Sequence, residues 1–402
     1  MKKFLSVLVL ALLVTSIIFA AGAGETSATM EKEVVTLKVW ASNEDQTMVK
    51  EMVEAFKTAN PEKTYNVDFG VVSEADAKAR YLEDPEVAAD VFAFANDQLK
   101  DLVKAGALYQ LSGKYLETVK AENGEGSVGS CTLNEKVYGF PMTADNGYFM
   151  YYDKSVFSEE DMMNLDKMLS VAQKAGKKVF MDLSNGWYVA SFFLGAGCKL
   201  SIDDNGKQVC DFNNAKGVAA GEAIKAFAAN PAFMTGDDAV LTGGMGTSIA
   251  AGVSGTWNAN AMKEILGVNY GATKLPEFSL AGIPTQMSSF AGYKLVGVNK
   301  LTKYPVDALS LAAWLTNESN QLKRFKTRGM GPSNSKVASS SEVLAAPELA
   351  ALAQQGAYAV SQNDVLGNYW SPAEAFGAAM EAKDYSTSVK AQLDAMVAQI
   401  VQ

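Results

Sequence analysis

No histidine occurs anywhere in the 402 residues. Ser-His-Asp and Cys-His nucleophile systems, His-ligated zinc and imidazole acid–base catalysis are therefore excluded together. Paired-carboxylate chemistry is not. Positive charge is also in short supply: 35 Lys and Arg face 45 Asp and Glu, a formal net charge of −10. That balance argues against a nucleic-acid partner or an anionic membrane surface. Long apolar runs are absent after the first few residues, so no membrane span is expected beyond them. Cysteine is scarce, with Cys131, Cys198 and Cys210 as the whole supply.

The chain opens with Met1-Lys2-Lys3, then an apolar run from Phe4 to Phe19, then Ala20-Ala21-Gly22-Ala23. Positive residues, an apolar core and small residues in that order read as a secretory signal, with cleavage expected after Ala23. The run is shorter than a bilayer span, and no positive stop-transfer flank follows it. The first thiol is Cys131, so no lipid-bearing Cys stands at the cleavage site. An extracytoplasmic protein, in a periplasm or at a cell surface, is expected.

In an oxidising compartment Cys198 and Cys210 are a candidate disulfide. They flank a hairpin around Asn205-Gly206. A three-residue loop centred on Asp204 would put them opposite each other, and a two-residue Asn-Gly loop would offset them. Cys131 is left as a free thiol. Asp203-Asp204-Asn205-Gly206 lacks the spaced acids of a calcium loop, and no metal or cofactor is expected.

Hydrophobic periodicity gives alternating strands at Val34–Trp40 and Tyr65–Val71 and a buried strand at Asp90–Phe94. Helices fall between and after them, from about Asp45, Glu74 and Asp97. Strand and helix in alternation define an α/β layer with parallel strands. A second α/β stretch starts at Gly147–Tyr152, with Ser158 and Asp161 as a capping box. It includes an Ala-rich helix over Ala215–Ala229 and further strands at Ile249–Val253, Tyr270–Leu275 and Tyr293–Val298. The chain is too long for one small core, so two domains are expected.

Ligands in α/β sheets sit beyond the carboxyl ends of strands. The loops after Trp40 and Phe94 are thus candidate cleft walls. Four of the five Trp fall in or beside loops: Trp40, Trp187, Trp257 and Trp370. Trp314, inside Ala308–Leu315, reads as a helix core residue. Three of the loop Trp adjoin Asn or Tyr, at Trp187-Tyr188, Trp257-Asn258 and Tyr369-Trp370, and Asp97, Asp145, Asn146 and Tyr148 lie in other loops of the candidate cleft. Sugars present flat C–H faces ringed by hydroxyls. Amphipathic aromatic platforms beside amides and carboxylates match them. Asp97 with Asp145 is the alternative reading, a two-carboxylate glycosidase. A binding site for a peptide, polyamine or metal is the third.

Four ordered segments resemble a known family: Leu37–Ser42; Val91–Asp97; Tyr138–Pro141 continuing to Tyr151–Lys154; and Gly255-Thr256-Trp257 leading to Asn269–Pro276. Together they are similar to extracellular solute-binding proteins of the maltose/maltodextrin type, the receptor subunits of ABC sugar importers. The resemblance covers essentially the whole mature chain. It implies a type II-like periplasmic-binding fold of two α/β lobes, 34–142 plus 296–330 and 146–290 plus 336–402. Crossing segments lie at Asp145-Asn146-Gly147, near Ser289–Gly292 and near Gly331-Pro332. It also implies a monomer that closes on an oligosaccharide and delivers it to permease subunits. Residue by residue, it makes Phe94 an aromatic platform, Asp97 and Asp145 sugar-binding acids, and Trp187, Trp257 and Trp370 stacking rings. Gln98 and Glu374 stand where the maltose type has basic residues, and Asn185 stands where it has an acid.

Overall fold

Residues 32–203 and 205–402 are described in a computed structural model. The leader expected over 1–23 lies outside the described residues.

Val35, Leu37 and Val39 alternate inward along β1 (Val34–Ala41) and are essentially buried. β2 (Thr64–Val71) and β3 (Val91–Ala95) run parallel to β1 on either side. The helix Gln46–Ala59 covers them through Met48, Val49, Met52, Val53 and Phe56. It stops at Asn60, whose side chain and backbone N–H groups both bond to the Phe56 carbonyl, with Pro61 immediately behind. β4 (Phe140–Gly147) then carries the chain away.

The second sheet is β5 (Phe149–Asp153), β6 (Lys178–Phe180), β7 (Phe233–Met234), β8 (Ile249–Ser254) and β9 (Tyr270–Thr273), in the order β7-β6-β8-β5-β9. The chain returns through β10 (Ser289–Val298), antiparallel to both β3 and β4. β11 (Ala359–Ser361) adds beside the start of β10, giving the order β11-β10-β3-β1-β2. A stretch expected in the second lobe thus contributes an edge strand to the first sheet.

Each sheet has its own buried core, and the molecule is a two-lobe α/β protein. One core draws on Val35 to Met142 and again on Leu295 to Leu315. A second draws on Tyr148 to Phe290 and again on Val365 to Ile400, and a smaller third, around Phe149, Tyr151, Phe180 and Leu241, packs on the same sheet. Trp314 belongs to the first, its indole N–H donating to the Met52 carbonyl at 2.9 Å.

Two local expectations need correction. The Ser158–Asp161 capping box forms reciprocally, but it opens only the short 3-10 turn Asp161–Met163. The α-helix Leu165–Lys174 starts later, with Asn164 accepting from the Lys167 N–H as its cap. The Cys198–Cys210 disulfide is not formed: all three cysteines are free, buried thiols. The hairpin pairs Leu200 with Cys210 and Ile202 with Gln208. That register sets Cys198 two residues away from facing Cys210. Burial pushes both thiols up to about 12. Protein purified without reductant should resist alkylation when native and expose three reactive thiols in denaturant. Recovery of a single thiol would show that the bridge forms after all.

Candidate functional site

Strand ends from both sheets meet across a cleft of about 650 Å³, inside the range of small-ligand sites, about 300–1,000 Å³. The first-lobe wall comes from the segments that follow β1, β2 and β3. They bring Ser42, Glu44 and Asp45, then Ser73 to Asp76, then Asp97 and Gln98. The second-lobe wall comes from the N-terminus of the helix Gly186–Gly195, the turn after β8, and the helix Trp370–Glu381.

Three half-buried indoles stand on the second wall. Trp187 and Trp257 lie 5.9 Å apart between centroids at 35°. Trp257 donates its indole N–H to Asp238 Oδ2 at 2.7 Å, and Lys294 Nζ lies 5.1 Å from its ring centroid. Trp187 donates to Gln362 Oε1 at 3.0 Å and packs edge-on against Tyr148 and Tyr188. The indole nitrogens of Trp187 and Trp257 are both occupied, so exposed ring surface is what these two side chains offer a ligand. Trp370 packs against Phe290 and Tyr369. Its helix can lie so close because residue 377 is Gly: a Cβ there would stand 1.7 Å from the Leu183 carbonyl oxygen.

Charge in the cleft is mostly acidic. Burial pushes the Asp97 carboxyl up to about 7, against the opposing pull of Lys78 and the bond from Gln362. Glu374 is also raised, by burial and by the like charge of Asp182. Burial alone would raise Asp45 too, but the Arg324 and Arg328 guanidiniums and Lys294 hold it below the usual carboxylate range. Glu74 and Lys294 approach to 3.8 Å. Among the described residues no group of three or more acidic or thiol side chains is placed to hold a metal ion.

Of the residues expected at the site, Asp97, Asn146, Trp187, Tyr188, Trp257, Asn258 and Trp370 line this cleft. Five do not. Phe94 is fully buried in the first core, and Trp40 packs inward on Phe92 at 5.8 Å. Side chains alternate along a strand, so a residue near its end can face either way. Tyr148 and Tyr369 are fully buried and spend their hydroxyls on the carbonyls of Trp187 and Gly186. They brace the helix that carries Trp187. Asp145 is buried as well; its Oδ2 accepts from the Thr256 hydroxyl and the Gly331 N–H. It ties the first crossing to the second lobe and to the stretch at Gly331-Pro332.

Glu44, Asp45, Glu74, Lys78, Lys294, Arg328 and Gln362 line the cleft without having been singled out. The strand-end rule that marked the loop after Trp40 would have reached Glu44 and Asp45. Lys294, Arg328 and Gln362 arrive from distant sequence and leave no local signal.

Two α/β lobes, crossing segments that pair Asn146-Gly147 with Ala291-Gly292, and a cleft between strand ends define a two-lobe solute-binding protein. The chain belongs to the bacterial extracellular solute-binding proteins, whose family model matches residues 51–351. A structure solved with acarbose is 34% identical, with TM-score 0.82, over 92% of this chain and 99% of that one. The ligand-free maltodextrin-binding protein of L. casei BL23 is 26% identical, with TM-score 0.75, over 92% and 99%. The maltotriose-binding protein of Thermus thermophilus, bound with maltotriose, shares the fold at 20% identity and TM-score 0.76, over 90% and 98%. No curated protein sequence matches the chain. Among the described residues no helix is long and apolar enough to cross a membrane.

Proposed function

We propose that the protein is the extracytoplasmic receptor of an ABC importer and binds a short maltodextrin-type oligosaccharide. The observation that carries this reading is the set of three indoles, Trp187, Trp257 and Trp370, facing carboxylates across one inter-lobe cleft. Rings would stack on the indole faces, while Asp97, Glu44 and Asn258 take hydroxyls. The bodies 34–142 with 296–330 and 146–290 with 336–402, apart from the β11 edge strand, close on the ligand, which favours closure because it touches both. The closed monomer then delivers the sugar to permease subunits.

The cleft binds and does not cleave. Asp145 is spent on Thr256 and Gly331, so it does not pair with Asp97 for glycoside hydrolysis. Long incubation with maltotetraose should release no new reducing ends.

Thermal unfolding against maltose, maltotriose, maltotetraose, a dipeptide and spermidine tests the assignment. A ligand present at a hundred times its Kd stabilises the native state by about 2.7 kcal/mol. Maltodextrins should raise Tm and the peptide and polyamine should not. The reverse pattern overturns the sugar assignment.

A further inference from the structure

Gln362 lies at the seam of the two lobes, on the short turn Gln362–Asp364 that follows β11. It is 4% exposed. Its Nε2 donates to Asp97 Oδ1 at 2.8 Å, on the first-lobe wall. Its Oε1 accepts from Trp187 Nε1 at 3.0 Å, on the second-lobe wall, and from Asn146 Nδ2 of the first crossing at 3.3 Å. An indole nitrogen only donates, so Oε1 must face Trp187 and Nε2 must face Asp97, which accepts as a carboxylate. A flipped amide would set donor against donor and acceptor against acceptor.

The surroundings hold the amide in place. Asn363 accepts from Asn96 Nδ2, and Asn96 Oδ1 accepts from the Tyr293 N–H at 2.7 Å. Residue 292 must be small here: a Cβ would lie 2.7 Å from Asn96 Oδ1 and 3.0 Å from Gln362 Oε1. We infer that Gln362 is the positioning residue of the cleft, its single carboxamide orienting the Trp187 platform and the Asp97 acid across the seam.

The inference rests on the sugar reading only where affinity is the readout. Ligand-free protein supplies an independent one. In Gln362→Leu the Trp187 contribution to emission, taken as the difference from the matching Trp187→Phe protein, should shift to the blue as the indole N–H exchanges a polar acceptor for an apolar neighbour. Maltotriose affinity should fall about tenfold, near 1.4 kcal/mol, as the Trp187 platform and the Asp97 acid lose their shared anchor.

Gln362→Glu gives a pH signature. The charged groups around the pair are Lys78, bonded to Asp101 at 2.8 Å, and the Lys100–Asp364 pair at 3.4 Å. At pH 8 two carboxylates would face each other where an amide met one. As pH falls to 5 they share a proton and the bond returns, so maltotriose affinity rises. Wild-type affinity moves the other way, because Asp97 itself takes up a proton over that range. Parallel pH profiles, or unchanged Trp187 emission in Gln362→Leu, overturn the inference. Failure of wild-type protein to bind any maltodextrin would strike the sugar reading alone, and the ligand-free emission then decides the role of Gln362.

Discussion

Trp187→Ala should lower maltotriose affinity by roughly a hundredfold, about 2.7 kcal/mol. Three losses add in one direction. The ring face is apolar surface that the helix Gly186–Gly195 offers the cleft, and stacked aromatic area dominates binding energetics. The indole N–H that bonds Gln362 at 3.0 Å disappears, so the carboxamide loses one of its anchors. Trp257, 5.9 Å away, loses the neighbour that limits its own motion. Stability should change far less, because Trp187 packs only at the margin of the second core. Titration calorimetry with maltotriose, alongside thermal unfolding without ligand, separates the two. A loss under fivefold would mean that the sugar does not stack on this ring. Trp187→Phe keeps a face but no donor, and should fall between wild type and alanine.

Asp45→Ala should destabilise the ligand-free protein by about 3–5 kcal/mol. Asp45 is buried between Arg324 and Arg328, with Arg328 Nε 2.9 Å from Oδ1. Arg324 is buried too, and its guanidinium bonds the same carboxylate. Alanine would leave that cation in the interior with no counter-charge. Tm should drop by about 5 °C. The contribution also has a defined pH dependence. The folded carboxyl is held below its ordinary value, so its stabilisation is fully present above the unfolded pKa of about 3.9. It is lost as pH falls through the lower folded value. Wild type and Asp45→Ala should therefore converge in stability in strong acid and diverge above pH 5. A constant gap from pH 2 to pH 7 would show that the ion pair is not its source.

Where sequence and structure agree, the signal is local. Val35, Leu37 and Val39 announce β1 by a period of two, and Met48, Val49, Met52, Val53 and Phe56 announce the next helix by a period of 3.6. Loop Trp beside polar residues picked out three of the indoles that line the cleft. Three of the misplaced residues share one cause. Phe94, Trp40 and Tyr148 stand within a residue of a strand end or a loop, and proximity along the chain does not say which face a side chain takes. The Ser158–Asp161 box formed as written, yet helix growth waited for Asn164, because only there does the backbone turn into the packed face of Leu165, Met168 and Leu169. Cys198 and Cys210 were separated by a hairpin register that no residue in the loop dictates alone.

The amino-acid sequence by itself determined the alternating α/β elements, the absence of imidazole chemistry, the acidic character and the loop indoles. Each of these is a property of composition or of spacing within a dozen residues. Only the tertiary structure decided what faces the cleft. Gln362 and Asp97 are 265 residues apart and bond at 2.8 Å; Arg328 reaches Asp45 across 283. Such pairs form because β10 and β11 return to the first sheet after the second lobe is built. The energy that holds them is the burial of the cores packed on the two sheets, and no local pattern records where those cores will bring distant polar groups together.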